Sequence, residues 1–257
     1  MQLRRRSNVG EPILLLTLEG PMQSWGIRAR WDVRDTALEP TKSGVVGLIG
    51  SAMGLHRNDP SLERLDQSLQ FGVRADRPGV VSIDYQTISG YHRTAAGEYK
   101  CRGGTTKSLE KAREHGESTI VSPREYLNDA KFLVGLAVWP DRRGNDRALL
   151  ERILDSLRRP KWPPYLGRKS CVPSRPLVTQ ASLTGKYTDL EDALEHEPWK
   201  VREGEDTGPR TLETWIECMD GDVERQDALR INQLREYAFR RYKRIEVDAA
   251  ALRGTAS

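Results

Sequence analysis

Apolar residues along this chain fall into short runs whose spacing predicts the elements. Ile13 to Leu18 is a continuous apolar run bounded by Pro12 and by Gly20-Pro21, the pattern of a buried strand. Lys131 to Trp139 (KFLVGLAVW) reads the same way, Phe71 to Ala75 is a shorter strand, and a further one is expected between Pro176 and Leu183. In RALLERILDSLRR (147–159), Leu149, Leu150, Ile153, Leu154 and Leu157 form one helical stripe that stops at two arginines and Pro160. Asp59 is placed as N-cap of a shorter helix, with Pro60 at its first position and Leu62, Leu65 and Leu69 inward.

The segment PTKSGVVGLIGSAMG (40–54) sets four glycines beside a lysine and a serine. A mononucleotide P-loop needs the order GxxxxGK[ST]. Here Lys42 and Ser43 come first, and Gly44, Gly47, Gly50 and Gly54 follow at intervals of three, three and four. Those are the intervals of one helical face, so the segment reads as a helix over 43–55 with Thr41 or Ser43 as N-cap. A glycine inside a helix costs about 1 kcal/mol relative to alanine. The expected compensation is a bare stripe that lies close against a sheet or a neighbouring chain. A helix start beside a lysine is also a general place for a phosphate.

In chain order the elements run strand, helix, strand, strand, helix, strand, the split βαβ arrangement of ferredoxin-like and RRM domains. The fold class expected is therefore α+β. The RNP aromatic signature of an RRM is absent, so the arrangement alone implies no RNA contact. Residues 81–124, between the second and third strands, are rich in glycine and poor in large apolar residues, and are expected to form a projecting, partly mobile arm. Its first part carries Arg93, Lys100, Arg102 and Lys107, with Tyr91 and Tyr99 among them. The expected division is a core over 1–183 that includes this arm, and a smaller β-rich C-terminal region over 184–257 in which TLETWIEC (211–218) can form a strand.

Charge is informative through its segregation, since the total is only 41 basic against 37 acidic residues. Ser156 to Thr188 carries seven basic residues and no acid, whereas Asp189 to Asp227 carries fourteen acids and four basic residues. Arg235 to Arg244 is basic again except for Glu236. Basic runs interleaved with Trp162, Tyr165, Tyr237 and Tyr242 suit a polyanion whose bases stack on rings; a solvated surface whose charges cluster by sign is the alternative.

Other chemistry is thinly represented. Cys101, Cys171 and Cys218 are far apart and without CxxC spacing, which suggests neither disulfides nor zinc and fits a reducing cytoplasm. The apolar run ILLLTL is six residues long and followed by Glu19, too short for a signal peptide or a membrane span. His56, His92, His115 and His196 show no metal spacing. His92, beside Tyr91 and Arg93 with Lys100 nearby, could cleave RNA without a metal by general acid–base chemistry.

Four blocks in order, LEGPMQSWG (18–26), PTKSGVVGLIGSAMGLHRND (40–59), PREYLNDAKFLVGL (123–136) and PYLGRKSCVPSRPL (164–177), resemble the family-five Cas proteins of the RAMP superfamily, in the branch found in the type I-E Cascade complex of CRISPR surveillance. A looser echo lies in LREYAFRRYKRI, while 189–227 and the tail beyond Asp248 match poorly. The resemblance implies a ferredoxin-like core with an inserted thumb-like arm. It implies a cytoplasmic, cofactor-free subunit that holds the 5′ handle of the guide RNA and caps the filament of backbone subunits. It further implies contact with the large subunit, and with target DNA through the complex. The arm would reach over the guide at the handle–spacer junction and help displace a base.

On that reading Arg168 and Lys169, flanking Gly167, are the foremost phosphate contacts. Lys42 and Ser43 at the helix start, and Arg93, Lys100, Arg102 and Lys107 on the arm, are further RNA contacts. Trp25 and Tyr165 are candidates to stack on bases or to serve in the core. Arg28, Arg30 and Arg34, around Trp31, are contacts or a solvated face. Two other functions stay open: a metal-independent endoribonuclease acting on repeat RNA, and a protein–protein adaptor with incidental RNA contact.

Overall fold

A computed structural model of the chain describes residues 10–27, 34–142, 146–199, 211–231 and 235–252. Arg28, Arg30 and Trp31 lie outside the described residues. The first half contains β1 (Ile13–Gln23), α1 (Lys42–Met53), α2 (Pro60–Ser68), β2 (Leu69–Arg77) and β3 (Val80–Gly90). A small group follows, β4 (Tyr99–Cys101), β5 (Gly104–Thr106) and α3 (Leu109–His115), before the long β6 (Ser118–Val138). Then come α4 (Asp146–Arg158), β7 (Leu183–Thr184), α5 (Leu190–His196), β8 (Thr211–Glu217), β9 (Val223–Ile231), β10 (Arg235–Asp248) and α6 (Ala249–Leu252).

One sheet organises these elements, in the order β7-β1-β6-β2-β8-β10-β9, with antiparallel ladders throughout. The ILLLTL run is apolar without alternation because both faces of β1 are covered. Leu14, Leu16 and Leu18 pack with α1, α2 and α4, while Ile13 and Leu15 pack with α5 on the opposite side. Burying each such side chain contributes about 1.5–3 kcal/mol. α5 lies close because Gly72 and Gly135 leave room for it: a Cβ at either would stand 2.5 or 2.6 Å from Leu194 or Leu190.

Two expectations change. The stretch before β7 is a string of turns, and only Leu183–Thr184 joins the sheet. Pro173 and Pro176 have no N–H to give a ladder, which favours this course. The arm is a regular antiparallel ribbon, β3 paired with the first half of β6 from Val80↔Asn128 to Gly90↔Ser118. Ladder hydrogen bonds give it order without a core, and at its tip Cys101 and Ala112 are buried by β4, β5 and α3. The C-terminal strands continue the main sheet directly, through Gly72↔Ile216, Val73↔Trp215 and Arg74↔Thr214.

Candidate nucleic-acid interface

The glycine helix forms one wall of a cleft of about 720 Å3. Thr41 caps α1 in an extended conformation, its Oγ1 accepting the Gly44 N–H at 3.3 Å. Gly54, at φ 74°, ends the helix in the left-handed region. The expected close approach holds at three of the four glycines, Gly54 among them, where a Cβ would stand 2.1 Å from the Lys161 side chain. A Cβ on Gly44 would stand 2.9 Å from the Trp25 ring, and one on Gly50 would stand 2.3 Å from Leu62. At Gly47 a Cβ would meet nothing within 4 Å, and the bare backbone there faces the cleft beside Ser43 and Ser51.

The facing wall is the loop between α4 and β7. Gly167 has φ 92°, and a Cβ on it would lie 1.7 Å from the Ser24 carbonyl oxygen, so only glycine fits. Ser24 N–H donates to Leu166 O at 3.0 Å, and this backbone pairing brings Tyr165 and Arg168 to the cleft. Arg168 is a clamp: Nη1 donates to Glu125 O at 2.9 Å, Nη2 donates to Arg34 O at 2.8 Å, and the guanidinium lies 4.7 Å over the Tyr126 ring. It is held rigidly at the wall, joining three segments that meet there.

Of the ten residues picked from sequence, Trp25, Ser43, Tyr165 and Arg168 line this cleft. Trp25 is a core residue, 1% exposed, with its Nε1–H given to Gln23 Oε1 at 3.1 Å, and the stacking role is withdrawn for it. Lys169 is exposed on the same loop. Arg93, Lys100, Arg102 and Lys107 gather at the tip of the arm, away from the cleft lining, where the Arg93 guanidinium lies 5.0 Å over the Tyr99 ring and donates to its hydroxyl. His92 is on the arm too, its Nε2 3.2 Å from Ile88 O.

Lys42 corrects the phosphate reading of the helix start. It is 2% exposed, and its Nζ donates to Glu217 Oε1 at 2.9 Å. The Lys42 N–H donates to Asp227 Oδ2 at 2.9 Å, so the positive end of the helix already holds a carboxylate of the chain itself. Arg240 grips that same carboxylate through two N–H groups at 2.5 and 3.0 Å. Burial raises the Glu217 carboxyl against the opposing pull of Lys42, and raises Glu39 against that of Arg225. The neighbours of Lys42 in sequence, Thr41 and Ser43, gave no sign of these partners, which arrive from β8, β9 and β10.

The segregated charges likewise resolve into pairs. Arg240, Arg241 and Arg244 of the last basic cluster meet Asp227, Glu224 and Glu213, and Lys243 meets Glu191 at 2.5 Å. Carboxylates of the acidic region thus pair with these four residues, of which Arg240 is buried and Arg241 and Arg244 stay exposed. In the cleft, sequence reasoning missed Arg57 as a site residue and named Trp162 and Tyr237 only as rings between charges. The His56 ring stands 5.3 Å from that of Trp162. Arg57 follows a left-handed glycine turn, beyond the reach of any periodic signal.

Arginines, serine hydroxyls and three rings around one open cleft can hold phosphate oxygens and stack bases, at about 1–3 kcal/mol per stacked base. Among the described residues no three His, Cys, Asp or Glu side chains are grouped to hold a metal ion, and no helix is long and apolar enough to cross a membrane.

Fold and cleft together define an antiparallel α/β protein with a basic, ring-lined groove. The family model for CRISPR-associated protein (Cas_Cas5) matches residues 13–247, and the chain belongs to that family. It is 35% identical over 165 residues to the CRISPR system Cascade subunit CasD of Escherichia coli (strain K12), which is 64% of this chain and 68% of the relative. A solved CRISPR RNA-guided surveillance complex contains a similar chain, with a TM-score of 0.66 and 32% identity over 94% of this chain and 93% of that one. A second solved structure, described as a crystal structure of a Cas protein, has a TM-score of 0.65 and 32% identity, covering 95% and 99%.

Proposed function

We propose that this chain is a non-catalytic RNA-binding subunit of a type I-E Cascade surveillance complex, cytoplasmic, holding the 5′ handle of the guide RNA and capping the backbone filament. The observation that carries this reading is the cleft: a bare helix backbone at Gly47 faces Trp162, Tyr165 and Tyr237 with arginines on both walls. Membership of the family and the similarity to a chain of a CRISPR RNA-guided surveillance complex favour a guide RNA as the polyanion. The order β7-β1-β6-β2, with α1, α2 and α4 on one face, supports a ferredoxin-like RAMP core over 1–183, with 184–257 as the smaller C-terminal region. The ribbon with its basic tip suits a thumb that crosses the guide, and backbone subunits, large subunit and target DNA are the partners expected through the complex.

The test is co-expression with the guide and the other proteins of the complex. A uniform small RNA with a fixed 5′ end is expected to co-purify. Gly47→Leu, whose side chain enters open space, is expected to lower its retention at least tenfold without lowering the melting temperature. Retention unchanged in Gly47→Leu and in Tyr165→Ala rejects the cleft as the handle site. Cleavage of a repeat RNA by the isolated chain, abolished by His92→Ala, rejects the non-catalytic reading.

A further inference from the structure

Beneath the start of α1 lies a second cavity, of about 1010 Å3, which shares no lining residue with the cleft. Its floor is ionic, and most of its charged atoms are matched. Lys42 Nζ lies 2.9 and 2.8 Å from the two Glu217 oxygens, and Arg240 holds Asp227. Asp66 is the exception. It is 2% exposed and lines the cavity, yet its Oδ1 has no hydrogen-bond partner. The carboxyl accepts a backbone N–H from Leu229, and its Oδ2 stands 3.9 Å from Lys42 Nζ, an ion pair too long to be a hydrogen bond, so Oδ1 alone is left open. Three carboxylates, Asp66, Glu217 and Asp227, face two cations, Lys42 and Arg240, so the floor carries one negative charge in excess.

The mouth has a different character. Met219 is 82% exposed and Phe239 is 65% exposed, beside Pro140 and the half-buried Trp139. The rim arginines already have carboxylate partners: Arg241 pairs with Glu224 and Arg230 with Glu63. Asp141 adds another acid to the lining. A buried acceptor without a donor bears its full loss of hydration. An apolar mouth over an acidic floor accommodates a long side chain with an aliphatic stem and a cationic head. Over the whole lining Lys42, Arg230, Arg240 and Arg241 balance Asp66, Asp141, Glu217 and Glu224, so it is the open Asp66 Oδ1 at the floor that selects a cationic donor.

We propose that this cavity is a docking socket for a lysine or arginine side chain of another protein, with Asp66 Oδ1 accepting the incoming N–H while Met219 and Phe239 cover its stem. The proposal uses none of the cleft residues, so loss of RNA retention and loss of docking are separable results.

The experiment places p-benzoylphenylalanine at position 239 in the full chain, expressed with the guide and the other proteins of its complex, and maps the photo-adduct by mass spectrometry. The expected adduct is on a different protein chain, within a segment that contains lysine or arginine. Its yield is expected to fall at least fivefold with Asp66→Asn, with guide retention unchanged. Met219→Arg, at an exposed position that the fold tolerates, sets a like charge against the incoming side chain and is expected to lower the yield similarly. Adducts confined to RNA or to a second copy of this chain, no adduct at all, or a yield indifferent to both substitutions overturns the proposal.

Discussion

Lys42 on α1 and Glu217 on β8 meet across 175 positions of sequence, Nζ donating to Oε1 at 2.9 Å with both residues buried. The contact makes Lys42 a structural residue. Its removal leaves buried carboxylates without their cation, a change that costs about 3–5 kcal/mol. Lys42→Ala is expected to lower the denaturation midpoint sharply, as measured by urea titration. RNA affinity per folded molecule, measured by a filter assay, should stay near wild type.

Gly167 carries the opposite prediction. An alanine there combines a left-handed backbone with a Cβ 1.7 Å from Ser24 O, so the loop must move and take Arg168 and Tyr165 with it. Gly167→Ala is expected to destabilise by about 2 kcal/mol or more, and to release the guide at salt concentrations the parent withstands. Calorimetry and RNA retention read the two effects separately.

Asp66 makes stability depend on pH. Burial lifts its carboxyl to about 6 from 3.8, against the pull of Lys42. Between these values the folded protein keeps a proton that the unfolded chain releases, so this group favours folding fully below about pH 4 and the benefit is lost as pH rises to about 6, at most ~3 kcal/mol in all. Glu39 and Glu217 shift in the same direction. Asp66→Asn is expected to flatten this part of the curve and to be the more stable protein near neutrality, as judged by urea unfolding on either side of the window.

The arm offers a test of electrostatics apart from folding. Arg93, Arg102 and Lys107 are exposed and Lys100 is half-buried, so replacing all four by alanine should change stability little, within about 0.5 kcal/mol each. If the tip reaches the guide, the slope of log affinity against log salt falls by about 0.7 for each phosphate that the variant no longer neutralises. An identical slope in the quadruple variant would leave the arm without a phosphate role.

How far the chain could be read without coordinates depended on how local each signal was. The cap at Asp59 and the stripe at Leu150, Ile153, Leu154 and Leu157 are written within a few residues, and both were legible, whereas Gly54, read as part of the helix face, is the left-handed residue that ends the helix. The ribbon was missed although Val81, Ile83 and Tyr85 alternate with Ser82, Asp84 and Gln86, because the glycine-rich stretch from Gly90 to Gly116 outweighed so short an alternation. The roles of Lys42 and of the last basic cluster were hidden for another reason. Charge runs describe the sequence neighbour, whereas Lys42–Glu217 and Arg240–Asp227 are fixed by strand pairing. At the cleft, Tyr165, Arg168 and Ser43 were found through their motif, but Arg57 and Trp162 come together only through the turn that follows α1.

The place of β8 beside β2 bears on how the molecule is made. A ribosome releases residues 42, 66 and 72 long before residues 216, 227 and 240, so the nascent amino-terminal half emerges with Lys42 lacking its hydrogen-bonded partner Glu217, and with one flank of β2 unzipped. Completion of the polypeptide closes that seam and brings Lys42 its Glu217 partner in a single stroke. Messages cut short before codon 240 should therefore yield material that proteases and chaperones recognise as unfinished, however intact its glycine helix and leading strands.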